Sequence, residues 1–187
     1  MVDRIRGFDP SDPTNASAYY DTPGNLGSAQ KDEIITDLTL PLDRLGDLGG
    51  LFKTTLDWRH IPVVDPVTGK TRPQSEVRPF RGNVHFSQDF TKQRVSMGLD
   101  IGLAASQAYY RFNEIDVYKF GTYCSFFAEY KPTENLSLRF EVDNFSNRQV
   151  RREYTYFLAS RPSPVQSTDL REQYTGPLLH FRVRQVY

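Results

Sequence analysis

The side chains that could do chemistry in this sequence are few and scattered. The three histidines, His60, His85 and His180, lie far apart, whereas metal ligands come at close, regular spacings. Cys124 is the only cysteine, so an intramolecular disulfide and a multi-cysteine metal site are both excluded. No glycine-rich phosphate loop, nucleophile elbow or zinc-binding helix motif occurs. We therefore expect neither an enzyme nor a bound metal or cofactor.

One group of residues is a candidate for binding an anion. Arg151, Arg152, Tyr154 and Arg171 fall in or near the last long connection predicted in the chain. Guanidinium groups among tyrosines are typical of sites for anionic ligands. An exposed, solvated loop would have the same composition, so the group stays a hypothesis.

Composition excludes several classes of protein. The 187 residues carry 23 Lys and Arg against 23 Asp and Glu, and this balance argues against binding to nucleic acid. The 13 Phe and 11 Tyr against two Met favour strands over helices. No apolar run approaches the ~20 residues that a membrane helix needs. The segment Met1–Arg6 lacks the apolar core of a signal peptide.

The hydrophobic pattern has a period of two residues in seven segments, which predicts seven strands. They cover about residues 33–42, 50–60, 81–90, 94–103, 121–131, 135–143 and 172–187. Residues 1–32 contain turn-forming clusters and are predicted to be a loop. Residues 104–120 are ambiguous, with tyrosines that indicate a strand extended and then broken by a loop. The sixth strand is predicted to continue through 152–158 after a bulge near Phe145.

Each predicted strand has one face without charge. The uncharged positions run at every second residue from Ile34, Phe52, Val84, Val95, Thr122, Leu136 and Leu179. In a soluble sandwich such a face is the core, whereas in a membrane barrel it meets lipid and the charged face lines the lumen. The alternation alone leaves both architectures open.

The connections favour the barrel. Short connections at 43–49, 91–93 and 132–134 alternate with long ones at 61–80, 104–120 and 146–170. Short periplasmic turns and long extracellular loops are typical of an outer-membrane barrel. Trp58, Phe90, Tyr130 and Tyr187 fall near strand ends, where an interfacial girdle needs aromatics. We predict an all-β fold: an antiparallel transmembrane β-barrel, here a partial barrel of about 7–8 strands.

The last strand resembles the terminal strand of bacterial outer-membrane barrels. Its apolar positions end on an aromatic residue, and Phe181, Val183 and Tyr187 match the signal that the barrel-assembly machinery reads in that group; Gln185 departs from it. The resemblance implies insertion into the outer membrane, with its lipid as a partner.

Longer segments resemble the late barrel of TonB-dependent outer-membrane receptors. They are Asp21–Gly27 through Leu40–Gly46, Trp58-Arg59 followed by Val64–Gly69 and Arg78–Phe80, Glu129–Pro132 followed by Leu138–Asn144, and Gly176-Pro177. Such receptors are barrels of about 22 strands around a plug. The resemblance implies energised import of a scarce ligand, of the siderophore, cobalamin or glycan class, and a contact with the TonB complex through an N-terminal part missing here.

Seven strands leave two open edges, which lipid does not tolerate. We therefore expect residues 1–32 to be an extracellular loop and residues 33–187 to be the C-terminal part of a larger barrel, from a truncated gene or a partial record. The side chains predicted to line its lumen are Arg139, Glu141, Asp143, Arg182 and Arg184. We read them as a network of compensating charges rather than an acid–base cluster.

Two alternatives remain open at this point. One is a complete eight-stranded outer-membrane barrel, with residues 104–120 supplying the extra strand. The other is a soluble β-sandwich that binds carbohydrate. The sandwich requires Leu99, Phe126, Leu138 and Phe181 to be sealed between two sheets, and the barrel requires them to point away from its hollow.

Overall fold

The structure, a computed structural model, describes residues 2–8, 19–45 and 49–187. Within those ranges the chain consists of strands, turns and two short 3-10 segments, Leu42–Leu45 and Thr91–Gln93, without an α-helix and so without a helix that could cross a membrane. The strands are β1 (Val2–Phe8), β2 (Tyr19–Asn25), β3 (Asp32–Pro41), β4 (Gly50–His60), β5 (Pro62–Val64), β6 (Thr71–Pro73), β7 (Phe80–Phe90), β8 (Val95–Gly102), β9 (Ala105–Tyr110), β10 (Glu114–Phe120), β11 (Tyr123–Thr133), β12 (Leu136–Asp143), β13 (Gln149–Phe157), β14 (Val165–Tyr174) and β15 (Leu178–Gln185).

The main body is one antiparallel sheet of seven strands. Its order is β3-β4-β7-β8-β11-β12-β15, so neighbours in the sheet follow one another through the chain. These are the seven predicted strands, and most ends differ by a few residues; the predicted seventh strand, 172–187, is divided between the end of β14 and β15. Strands β3 and β15 each pair on one side only within the described residues. The sheet is therefore open at both edges and does not close into a barrel.

The strand registers confirm the predicted faces. Residues directly opposite each other in an antiparallel pair share a face. Trp58 lies opposite Ile34 on one neighbouring strand and Phe80 on the other. Leu99 lies in the same way between Phe86 and Phe126. All six pairings match uncharged positions with uncharged positions, so one continuous apolar face covers the sheet.

Nothing among the described residues covers this apolar face. Leu179 and Phe181 are each 69% exposed, and Leu99, Phe126 and Leu138 are only half-buried. The buried hydrophobic residues, Ile61, Val63 and Tyr154, all lie outside the seven-stranded sheet. The sheet is a single layer there, and the sealed core that a sandwich requires is absent from the described part of the chain.

A second sheet extends four of the seven strands beyond one end. Its order is β9-β10-β13-β14, and these strands continue β8, β11, β12 and β15 respectively. Tyr109 and Tyr110 lie in β9, which extends β8, as one interpretation of residues 104–120 predicted. The prediction that residues 104–120 supply an eighth strand is wrong, because β9 and β10 pair with each other and β10 with β13.

Four predicted loops contain more strand than expected, and the connection 61–80 includes the hairpin β5–β6. Residues 2–8 and 19–25, predicted as loop, pair as the hairpin β1–β2; the turn-forming residues 9–13 lie outside the described residues, as do residues 46–48 of the first short connection. Much of the predicted connection 146–170 belongs to β13 and β14. The short connection predicted at 132–134 narrows to a turn at 134–135, because β11 runs on to Thr133 past an irregularity in register.

Gly98 is required by an aromatic ring on the charged face. It lies directly opposite Phe127, and a Cβ added at Gly98 would lie 2.3 Å from Cε1 of that ring. The Arg139 guanidinium packs 3.9 Å from the ring centroid, which restricts how far the ring can move. The glycine therefore makes room for a flat aromatic contact in the middle of β8.

We predict that Gly98→Ala destabilises the sheet by about 1–3 kcal/mol, as overpacking does elsewhere. Gly102→Ala is the matched control, because it lies on the same strand and face and its added Cβ would meet nothing closer than 3.7 Å. The measurement is the urea midpoint of unfolding, followed by fluorescence of Trp58, the only tryptophan. Equal shifts for both variants would contradict the packing argument.

Candidate functional site

A buried carboxylate organises the loops at one end of the seven-stranded sheet, the end from which the four-stranded sheet extends. Asp65 follows β5, and its side chain is 1% exposed. Its Oδ1 accepts hydrogen bonds from the backbone amides of Val67 and Thr68 at 2.8 and 3.0 Å. This Asx-type turn is what the Asp-Pro and Thr-Gly signals in that loop favour. The turn closes the hairpin β5–β6 and leaves the carboxylate facing inward.

Two guanidinium groups share the Asp65 carboxylate. Arg72 on β6 donates through Nε to Oδ2 at 2.5 Å, and Arg161 donates through Nη2 to Oδ1 at 2.6 Å. Both arginine side chains are buried. Arg161 lies 96 residues further along the chain, in the connection between β13 and β14. The ion triad therefore ties together two long loops.

The triad rests on the end of β9. The guanidinium carbons of Arg72 and Arg161 lie 4.5 and 5.5 Å from the centroid of the Tyr110 ring. The Tyr110 amide donates to Oγ of Ser75 at 3.1 Å. The Arg161 amide donates to the carbonyl of Phe112 at 3.1 Å. We call residues 61–79, 111–113 and 158–164 the loop cluster; its three segments are held in one arrangement by these bonds.

A second carboxylate, Asp116, is buried in the four-stranded sheet. Arg152 on the neighbouring strand binds it through two parallel bonds, Nε to Oδ1 at 3.0 Å and Nη2 to Oδ2 at 2.7 Å. The Arg152 guanidinium also lies between the rings of Tyr118 and Tyr154, at 4.4 and 4.2 Å. Arg171 packs 5.0 Å from the Tyr154 ring and bonds to Asp169.

This arrangement shifts two pKa values away from their ordinary range. The hydrogen bonds to Asp116 raise the pKa of Arg152, so the guanidinium stays charged at all accessible pH. Burial, followed by the nearby Asp116 carboxylate, raises the pKa of the Tyr118 phenol. The surface is therefore a fixed cation between aromatic rings, which can bind a planar or anionic group.

Three of the four predicted anion-binding residues lie together on this face. The registers place Arg152, Tyr154 and Arg171 on one side of the sheet. Arg151 lies on the other side, where it approaches Glu153 at 3.7 Å. All four belong to strands β13 and β14 rather than to a loop, because the strands extend beyond the seven-stranded sheet.

The predicted lumen charges lie on the face of the large sheet opposite to the apolar one. Arg139 contacts Glu141 at 3.1 Å and Glu129 at 3.6 Å. Arg182 lies directly opposite Arg139, and Arg184 follows two residues later on β15. A groove of about 370 Å³ among these side chains also reaches Lys131 and Glu134. Asp143 lies apart from it and contacts His180 at 3.4 Å.

The residues of the predicted terminal-strand signal lie along the open edge. Phe181 and Val183 on β15 are exposed and lie opposite Phe140 and Leu138 of β12. Tyr187 lies beyond β15 and is fully exposed. The other side of β15 has no neighbour among the described strands, so its outer backbone groups remain available for a further strand.

Sequence reasoning missed the residues that organise the loop cluster. Nothing in the sequence linked Asp65 to Arg161, because a pairing across 96 residues follows from the strand order. Asp116 sat in the segment that was ambiguous between strand and loop. The three histidines stay separate: His60 stacks on Trp58, His85 bonds to Asp100 and His180 approaches Asp143.

We predict that Asp65→Ala releases the loop cluster while the large sheet stays folded. Removing one member of a buried ion pair leaves an uncompensated charge and costs about 3–5 kcal/mol. Local opening at that cost raises amide hydrogen exchange by at least about a hundredfold. The amides of Arg161 and Tyr110 report on the cluster, because both form bonds that bridge its segments.

Asp169→Ala is the control, since it removes a carboxylate whose pair with Arg171 is solvent-exposed, and we expect unchanged exchange in the loop cluster.

Lowering the pH tests the same contact between Asp65 and its two arginines. Burial alone would raise the pKa of Asp65, but hydrogen bonds from Arg161 and Arg72 outweigh it and lower the pKa below 3.8. Protection should thus hold down to about pH 4 and fall at lower pH. An acid-induced loss that persists in Asp65→Ala would contradict this assignment.

Comparisons of the chain with protein-family models, with curated proteins and with solved structures give no match. The candidate site therefore stands on its own geometry: a loop cluster held by Asp65, an arginine–tyrosine face held by Asp116, and a large sheet with one charged and one apolar face.

Proposed function

We propose that this chain is the C-terminal part of a TonB-dependent outer-membrane receptor that imports a scarce ligand of the siderophore, cobalamin or glycan class. The proposal rests on the sequence resemblance together with the geometry of the seven-stranded sheet. No catalytic role is included, because the charged groups of the candidate site are engaged in ion pairs and aromatic contacts.

The observation that carries the proposal is the continuous uncharged face on a single layer. A soluble monomer rarely leaves a contiguous apolar surface of this kind open to water. In a bilayer the same face lies against hydrocarbon, where an Arg or Lys would cost about 2–4 kcal/mol at the midplane. Apart from Asp32, the first residue of β3, the registers keep the charged residues of the seven strands off this face.

The dimensions of the strands support a membrane-spanning role. Strands β3, β4, β7 and β11 have 10 or 11 residues, which suits a tilted strand across about 30 Å of hydrocarbon. Exposed aromatic residues lie near both ends: Trp58 and Phe80 at one, Phe90 and Tyr130 at the other. Such positions are typical of the aromatic belts at the two membrane interfaces.

The two ends of the sheet differ in the way an outer-membrane barrel requires. The connections β7–β8 and β11–β12 are short and lie at one end, which we assign to the periplasm. The loop cluster and the four-stranded sheet lie at the other, which we assign to the cell exterior. There the arginine–tyrosine face and the loop cluster are the parts that a ligand would meet first.

The open edges support membership in a larger barrel. Unpaired backbone groups cannot remain in hydrocarbon, so β3 and β15 need partners from strands beyond these seven. A complete eight-stranded barrel built with residues 104–120 has no support, because those residues extend β8 and β11. A soluble sandwich has none either, since no sheet packs on the apolar face in the described residues.

The coding sequence immediately upstream of Met1 tests the receptor assignment. We expect an open reading frame that continues upstream in phase and encodes further alternating strands, a plug domain and a TonB-contacting segment. A signal peptide directly before Met1, without a plug, would contradict the receptor assignment and support a small complete barrel. A folded monomer purified from water without detergent would exclude both membrane proteins.

A further inference from the structure

An apolar groove lies where the two sheets meet, beside the aromatic residues at the end of the large sheet that we assign to the cell exterior. It has a volume of about 350 Å³ and is lined by Pro79, Phe80, Ala105, Lys119 and Phe120, among others. Phe80 lies directly opposite Trp58 on the apolar face of the large sheet, and both rings are exposed. The groove is therefore continuous with the surface that we assign to hydrocarbon.

Two guanidinium groups pack on the ring of Phe120, one of the residues that line this groove. Those of Arg78 and Arg148 lie 4.7 and 5.1 Å from the centroid of the Phe120 ring. Both guanidinium groups therefore contact the same aromatic ring. They come from separate segments, the loop before β7 and the connection before β13.

Neither guanidinium is neutralised by a carboxylate in the described part of the chain. Arg78 donates to the amide oxygen of Gln107 at 2.9 Å, and no ion pair forms at either arginine there. The Nε of Arg148 is buried and has no hydrogen-bond acceptor among those residues. Lys119 lines the same groove, but its ammonium group pairs with Glu153 at 3.2 Å.

This contrasts with the neighbouring arginines of the four-stranded sheet. Arg151, Arg152 and Arg171 each contact a carboxylate within the sheet. Two cations without a carboxylate partner pack on one ring beside an apolar groove. An anion that also has an apolar part would neutralise the cations and fill the groove. Guanidinium groups bind phosphate oxygens through charge-assisted, often paired hydrogen bonds.

We propose that Arg78, Arg148 and the groove at Phe80 and Phe120 form a site for a phosphate-bearing lipid of the surrounding bilayer. The headgroup phosphate lies between the two guanidiniums, and an acyl chain follows the groove towards Phe80 and Trp58. This inference rests on the proposed membrane location of the apolar face. It adds to the receptor function a lipid that fixes the height of the barrel in the membrane.

The test uses the whole barrel that we propose contains this chain, so that β3 and β15 have partner strands; it is refolded into phosphatidylcholine vesicles and then extracted into mild detergent with added short-chain phosphatidic acid. Native mass spectrometry counts the lipid retained on the protein. We expect phosphatidic acid to be retained in preference to phosphatidylcholine. Arg78→Gln and Arg148→Gln should each weaken retention about tenfold, the loss of one charge-assisted hydrogen bond, and the double variant should abolish the preference.

Arg171→Gln is the matched control, because it removes the same charge from an arginine that already has a carboxylate partner. We expect wild-type retention from it. Equal loss in all three single variants would overturn the site, as would competition by inorganic phosphate at the concentration of the lipid.

Quenching of Trp58 fluorescence by brominated acyl chains is measured on the same vesicles. Quenching without arginine-dependent retention defeats this inference alone, whereas absence of quenching defeats the membrane location itself.

Discussion

The pairing of backbone groups between neighbouring strands is the constraint on which the whole structure depends. Because side chains alternate along a strand, a register shift of one residue would move an entire row to the opposite face. Apart from Asp32 at the start of β3, the registers of the large sheet set the uncharged residues of one face beside one another, as Leu99 beside Phe126 and Phe140 beside Phe181 show. The separation of charge from the apolar face is thus a consequence of six consistent registers and not of any single strong contact.

Shared carboxylates fix the parts that strand pairing cannot reach. Asp65 holds two guanidiniums and two backbone amides, so one buried anion joins loops that are distant in sequence. Asp116 holds Arg152 between two tyrosines in the same way. Such buried ion pairs contribute little net stability, but breaking one is costly. Their effect here is to give the exposed end of the sheet a single arrangement, which a binding surface needs.

The strands of the large sheet could be predicted because a period of two is a local property of the sequence. The segments at 50–60 and 81–90 were predicted almost to their ends, and the charged and uncharged faces were assigned correctly. The hairpin β1–β2 was missed because turn-forming pairs such as Pro23-Gly24 outweighed a weak alternation. The extension β13 was predicted in part, at 152–158, whereas most of β14 was missed for a different reason: strands that extend beyond the apolar region lose the hydrophobic contrast that marks them.

The loop cluster could not be predicted, since the contact of Asp65 with Arg161 exists only once β6 and β13 have their places in the two sheets. The same holds for Arg78 and Arg148, which meet at Phe120 from segments that are far apart along the chain. Residue type alone made Arg152 and Arg171 candidates, and it could not distinguish an arginine already bound to a carboxylate from one that is not.

The central claim is that the uncharged flank of the sheet lies against hydrocarbon. A single tryptophan on either face of β8, introduced as Leu99→Trp or Asp100→Trp in a Trp58→Phe background, reports whether that face contacts lipid. The two positions are neighbours along the strand, so they lie at nearly the same depth in the membrane. In vesicles that contain brominated acyl chains, the account predicts strong quenching of fluorescence at position 99 and weak quenching at position 100. Equal quenching at the two positions, or a water-soluble fold in which position 99 is shielded from both lipid and water, would contradict it.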